Sequence, residues 1–222
     1  MKGLMIKDGR LMITQGKMLL GIAAFMLVSS YLQGDAFPQF AASYSIMMMT
    51  ILTISTVSYD EYDNGIKYLL VLPVDRRAYV REKYLFGILM ACIAWVICSL
   101  TGIAGAVIRN ADGLGEYLIS SLSVAMLAVL LLGIFLPVVF YFGAEKGRGI
   151  YSGMLACIFL AIIAFFKLKW NVVLMENELF RQMISIMAHN RLFFIIAGAV
   201  IYLGILSAAY GCAVKIMERR EF

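Results

Sequence analysis

The sequence predicts an all-α, polytopic membrane protein with six transmembrane helices and an N-terminal interfacial helix. Three observations lead there. Of the 222 residues, 63% are hydrophobic and only 15% charged; a soluble domain carries roughly a quarter charged residues and cannot hide so much apolar surface in one core. The apolar residues fall in blocks near the length a bilayer demands, about 20 residues at 1.5 Å each. Lys and Arg are also unequally divided between the two sides of those blocks.

The first block, 18–32, is short unless Lys17 and Gln33 snorkel. The segment before it is long and contains Asp8, and no small-x-small site clearly follows, so it reads as a retained span and not a cleaved signal. Blocks at 37–59, 84–108 and 117–142 are long enough to cross outright. The fifth, 150–166, is short and closed by Lys167 and Lys169; the sixth is 192–214. With the N-terminus inside, fourteen of the nineteen Lys and Arg lie on the cytoplasmic side, which puts both termini there. The outer loop 167–191 dissents, with Lys167, Lys169, Arg181 and Arg191. The net charge of +5 and the pI near 9.0 therefore express topology, and no nucleic-acid partner is expected.

The whole chain, 1–222, reads as one transmembrane domain. In residues 1–17, Leu4, Met5, Leu11 and Met12 oppose Lys2, Lys7, Arg10 and Lys17, which suits an elbow helix lying among lipid headgroups. Gly9 and Gly16 leave a frayed basic tail as the alternative. Cys92, Cys98, Cys157 and Cys212 sit in apolar runs, without the close polar spacing of a metal site or disulfide framework.

Inside lipid, helices associate through small residues that let backbones approach. The third crossing has such a seam in Gly87, Ala91, Ala94, Cys98, Thr101 and Gly105, spaced to stay on one side; the sixth has Gly204, Ala208 and Gly211. Either seam would serve within one chain or between two copies. On the second crossing Ser43, Thr50 and Thr53 share a sector, a hydroxyl face that would line a translocation path or make ordinary interhelical and i−4 backbone bonds. No charged residue lies in the middle third of any span, which disfavours an ion-driven carrier.

The cytoplasmic stretch 60–83 is the most informative. Asp60, Glu61 and Asp63 end the second crossing, where acids oppose the helix dipole. Either the helix runs past them or they face a basic partner. Tyr62 follows, then Ile66, Lys67, Tyr68, Leu69, Leu70, Val71 and Leu72, stopped by Pro73. This run is too short to span and too apolar to stay in water. It must bury on something, either a groove on another protein or the chain's own membrane surface. Asp75 can cap the third helix, with Val74 and Tyr79 as a staple. Arg76 and Arg77 sit badly at that helix start unless they hold the topology, bind anionic headgroups or pair with acids.

These residues carry a resemblance. Met1-Lys2-Gly3-Leu4 with Lys7-Asp8, and Ser58-Tyr59-Asp60-Glu61 followed by Lys67-Tyr68-Leu69-Leu70-Val71-Leu72-Pro73-Val74-Asp75-Arg76-Arg77 and Lys83-Tyr84, resemble the type-2 ABC transporter permeases of Gram-positive bacteria. The nearest branch is the membrane subunits of exporters for phenol-soluble modulins, which are amphipathic peptides. The motifs cover about a third of the chain.

The resemblance implies a permease in the bacterial cytoplasmic membrane, working with a cytosolic ATP-binding subunit and with a second permease copy or close paralogue. It implies an amphipathic peptide substrate and contact with membrane lipid. Asp60, Glu61, Tyr62, Ile66, Lys67, Leu69, Leu70 and Leu72 would form the ATPase-coupling interface, and Ser43, Thr50 and Thr53 are candidates for the path. It also implies that 1–17 is an interfacial elbow helix and that the outer loop 167–191 carries short outer helices before the last span; the stretch 176–187 suits a short amphipathic helix there, with Leu179, Met183 and Met187 on one face.

No Gly-x-x-x-x-Gly-Lys-Ser/Thr run exists, so ATP and magnesium are expected on the partner and no cofactor on this chain. The single histidine, His189, has no nucleophile elbow near it in sequence and is expected to end an outer helix. Neither catalytic nor metal-ligating residues are expected. The rival reading is a membrane-embedded regulator or intramembrane enzyme without an ATPase partner.

Overall fold

The computed structural model describes residues 2–14, 39–61, 75–109, 112–167 and 190–220, together with isolated helical positions at Lys17, Gly21, Ile22, Ala24, Phe25 and Val28. The regular structure among them is helical throughout: α1 (Lys2–Thr14), α2 (Gln39–Glu61), α3 (Arg76–Arg109), α4 (Leu114–Phe142), α5 (Ala144–Lys167) and α6 (Arg191–Arg219). Among the described residues α2, α4, α3 to Ile108 and α6 from Leu192 are long and apolar enough to cross a membrane, making this a multi-pass protein. Helix α5 covers the fifth expected crossing. Most of the first crossing, 18–32, lies outside the described residues, as do the outer helix expected at 176–187 and His189.

α2, α3 and α4 pack mutually; α6 lies on α3 and α4, α5 chiefly on α4, and α1 on α2 and α3. One buried cluster joins Val57, Tyr79, Val80, Leu136, Val139, Phe140, Ala213 and Met217 towards the expected cytoplasmic end. A second, towards the other end, joins Ala41, Ala42, Ile46, Ala94, Cys98, Tyr117, Ala125 and Ala128. Small side chains dominate the second because the α2, α3 and α4 backbones run close there. The seam on α3 supplies that closeness within one chain: Ala91, Ala94 and Cys98 are buried, and a Cβ on Gly87 would lie 2.4 Å from Leu132 Cδ2. The α6 seam differs. Gly204, Ala208 and Gly211 are exposed, and a Cβ on either glycine would meet nothing within 4 Å among the described residues. The outward faces of α3 and α6 are greasy, with Leu89, Ile93, Leu100, Ile196, Val200 and Leu203 exposed, as suits lipid.

Pro137 interrupts α4. Proline has no N–H, so the carbonyl of Gly133 loses its i+4 donor in a setting without water. The Tyr84 hydroxyl fills the gap, donating to Gly133 O at 2.8 Å. Tyr84→Phe keeps the ring and removes only that donor. It is expected to lower stability by about 1–3 kcal/mol, the cost of an orphaned buried acceptor, read as a lower unfolding midpoint in detergent.

By sequence, Glu145, Lys146 and Arg148 form a short Gly-flanked cytoplasmic turn between the fourth and fifth apolar blocks, and the structure corrects this. Residues 144–150 are already helical, and the reversal is confined to Gly143, whose φ of +80° suits glycine. Gly147 N–H bonds back to Gly143 O at 2.7 Å. α5 then folds so tightly onto α4 that a Cβ on Gly147 would lie 3.1 Å from Val139 Cα.

Candidate functional site

The ion pairs among the described residues gather at the end of the bundle that flanks residues 62–74. Three helices build the centre. On α1, Leu4, Asp8 and Met12 follow one another at four-residue spacing and form the inward face. Asp8 is thus carried into the packing while Ile6 and Ile13 point outward. α2 contributes Thr56 and Asp60, its last buried turn; α3 contributes Tyr79, Glu82 and Lys83, all fully buried.

Lys83 is the hub. Its Nζ donates to Asp8 Oδ2 and to Thr56 Oγ1 at 2.9 Å, and lies 2.8 Å from Asp60 Oδ2. Asp60 also accepts from Lys7 Nζ on its other oxygen and from the Tyr79 hydroxyl at 3.0 Å. Lys7 Nζ lies 3.3 Å from Asp8 Oδ1, too poorly aligned for a hydrogen bond. Burial alone would lower the pKa of Lys7. The hydrogen bond and charge of Asp60, with Asp8 adding, outweigh burial and raise it, so Lys7 is held as a cation. Buried charges are tolerable in such an arrangement only because each is paired and hydrogen-bonded.

A second set of bonds clasps the end of α6. Arg76 donates to the carbonyls of Met217, Glu218 and Arg220 at 3.3, 2.7 and 3.1 Å, satisfying acceptors that a helix C-terminus leaves open. Its positive charge also suits the negative end of the α6 dipole. Arg77 bonds Glu218 at 2.5 Å, and Arg220 bonds Glu61 at 2.6 Å. Both flanks of 62–74 are therefore fastened to α6, and through Asp60 and Lys83 to α1.

Of the coupling residues expected from sequence, Asp60 and Glu61 belong to this constellation. Tyr62, Ile66, Lys67, Leu69, Leu70 and Leu72 lie outside the described residues, as does Val74 of the expected staple. Of the acids, Asp60 and Glu61 meet basic partners, whereas Asp63 and any continuation of the helix past it lie outside the described residues; Arg76 and Arg77 likewise meet acceptors. α3 starts directly after Asp75, whose carbonyl accepts the Tyr79 N–H at 3.1 Å. Ser43 and Thr50 bond back to Gln39 O and Ile46 O at 2.9 and 2.8 Å. Thr53 is fully buried, and its hydroxyl has no hydrogen-bond partner among the described residues. Thr50 borders an otherwise apolar cavity of about 60 Å³ with Met47, Ile54, Leu132 and Phe135. These three hydroxyls are not gathered with the charged cluster. Sequence reasoning named Asp8 and Lys83 as parts of the resembling motifs, with no site role, and did not single out Thr56 or Glu82; the available signal was the coincidence of an acid on the apolar side of the elbow helix with a lysine just inside α3.

The family described as ABC-2 family transporter protein matches residues 3–218, from the start of α1 to the end of α6. The chain belongs to that family. It is accordingly a membrane permease subunit of the ABC transporter class, in which an ATP-binding partner is the general rule. A search of curated proteins and a search of solved structures each gave no match. In this permease the charged constellation borders the segment between α2 and α3.

Proposed function

We propose that this permease is half of the membrane part of an ATP-driven exporter that moves amphipathic or antimicrobial peptides out of the cell. Residues 62–74 would dock on a cytosolic ATP-binding subunit, which binds ATP and magnesium, and a second permease copy or close paralogue would complete the path. One observation supports this reading above the others: both flanks of 62–74 are bonded into the helix bundle, by Asp60 and Glu61 on one side and by Arg76, Tyr79 and Lys83 on the other. A push on such a segment is delivered to α1, α2, α3 and α6 together. The peptide substrate follows from the sequence resemblance to phenol-soluble modulin exporters.

The test is ATP turnover by the permease co-purified with its ATP-binding subunit and reconstituted in phospholipid vesicles. Changing Leu69→Asp and Leu70→Asp together is expected to reduce peptide-stimulated turnover about tenfold or more, the loss typical of charging the apolar centre of an interface. Co-purification of the two subunits should fall in parallel. Unchanged assembly and turnover would refute the coupling role. Turnover that stays insensitive to amphipathic peptides in the unmodified complex would refute the substrate class.

A further inference from the structure

Glu82 sits in the charged cluster but takes no part in its bonding. Its side chain is fully buried, and neither carboxylate oxygen has a hydrogen-bond donor among the described residues. The closest ammonium, Lys83 Nζ, is 3.9 Å from Oε2. That ammonium has three N–H donors, and Asp8 Oδ2, Asp60 Oδ2 and Thr56 Oγ1 already surround it. Lys7 is directed at Asp60 and Asp8. Without Glu82, two ammonium groups balance two carboxylates. As an anion, Glu82 would be a third negative charge against two positives among the described residues, with no donor there to receive it. A buried carboxyl group in that position is far cheaper neutral than charged.

We propose that Glu82 is a proton-binding site: it keeps its proton while α1 is packed on α2 and α3, and loss of that proton loosens α1. Among the described residues, the ionisable groups around it are Lys7 and Asp8 of α1, Asp60 of α2, and Tyr79 and Lys83 of α3. Ionisation hands one proton to water and adds one negative charge beside Asp8 and Asp60. Asp8 rides on the least packed of the described helices, which lies on α2 and α3 with Met12 beside Ile22. Withdrawal of α1 separates like charges and admits water. The elbow helix is therefore docked at lower pH and released as pH rises. This holds whatever the permease carries.

The test uses the full chain in phospholipid nanodiscs over a pH series. Infrared spectra should contain the C=O stretch of a protonated carboxyl group at neutral pH, and the band should vanish as pH rises. Glu82→Gln is expected to abolish it. Glu116→Gln, at an exposed position in the first turn of α4, is expected to keep it. Backbone amide exchange in residues 2–14, corrected for its intrinsic pH dependence, should rise about tenfold or more over the same interval in the unmodified chain. It should stay flat in Glu82→Gln. Glu82→Met, similar in length and uncharged, is expected to behave as Glu82→Gln does and provides the measurement if the amide folds poorly. A missing acid band at neutral pH, a band surviving both Glu82 substitutions, or α1 exchange with the same pH dependence in all chains would overturn the proposal.

Discussion

Lys83→Met is expected to be the most damaging single substitution in the described chain. It removes the cation that joins Asp8, Asp60 and Thr56, and leaves buried carboxylates with only Lys7 to oppose them. Breaking a buried ion pair from one side costs about 3–5 kcal/mol, because the surviving charge stays desolvated. The purified chain should unfold at a clearly lower temperature in detergent, with reduced yield. The decisive comparison is Lys83→Met combined with Asp8→Asn, which also removes one stranded charge. The pair is expected to be more stable than Lys83→Met alone, with a coupling that a double-mutant cycle measures directly. If Asp8→Asn adds its own full penalty instead, the ionic link between α1 and α3 contributes nothing to stability.

Gly102→Val should come second. A Cβ there would lie 2.2 Å from Cε1 of Tyr117. The obstacle cannot step aside cheaply, since Tyr117 is buried and its hydroxyl donates to Cys98 O at 2.9 Å. Gly87 is equally crowded by distance, but its neighbour is the end of a leucine side chain, which has other rotamers. Overpacking of the rigid kind costs about 1–3 kcal/mol. Thermal unfolding should therefore show Gly102→Val as more harmful than Gly87→Ala. Equal effects would mean that the Tyr117 ring is free to move.

The contrast between those two glycines shows what sequence makes legible. The α3 seam was readable because Gly87, Ala91, Ala94 and Cys98 repeat at helical spacing, and periodicity survives without knowing the partner. Gly102, four residues after Cys98, lies at the edge of that same face. Its role depends on one tyrosine of the next helix, and no pattern in α3 announces it. The crossings themselves were readable from apolar length, although α3 begins two turns earlier than its apolar block and α6 runs past 214, because helices do not stop at the membrane surface. The turn at Gly143 was missed for the opposite reason: three charged residues between glycines suggest a loop, but they begin α5 instead. For the acids at 60 and 61, electrostatics offered either a continuing helix or basic partners. Which cations answered was hidden, since Lys83 and Arg220 are chosen by tertiary packing and not by local spacing.

The ionic link between α1 and α3 also has a consequence for biosynthesis. Asp8 leaves the ribosome 75 residues before the lysine that neutralises it. During that delay the nascent N-terminus has an acid on the face it will later bury, so it stays in water and does not settle early into an unfinished bundle. The elbow can seat only after α2 and the start of α3 have been delivered. Desolvation cost alone thus favours late seating, because the pairing that makes burial of Asp8 tolerable is complete only once α3 has begun.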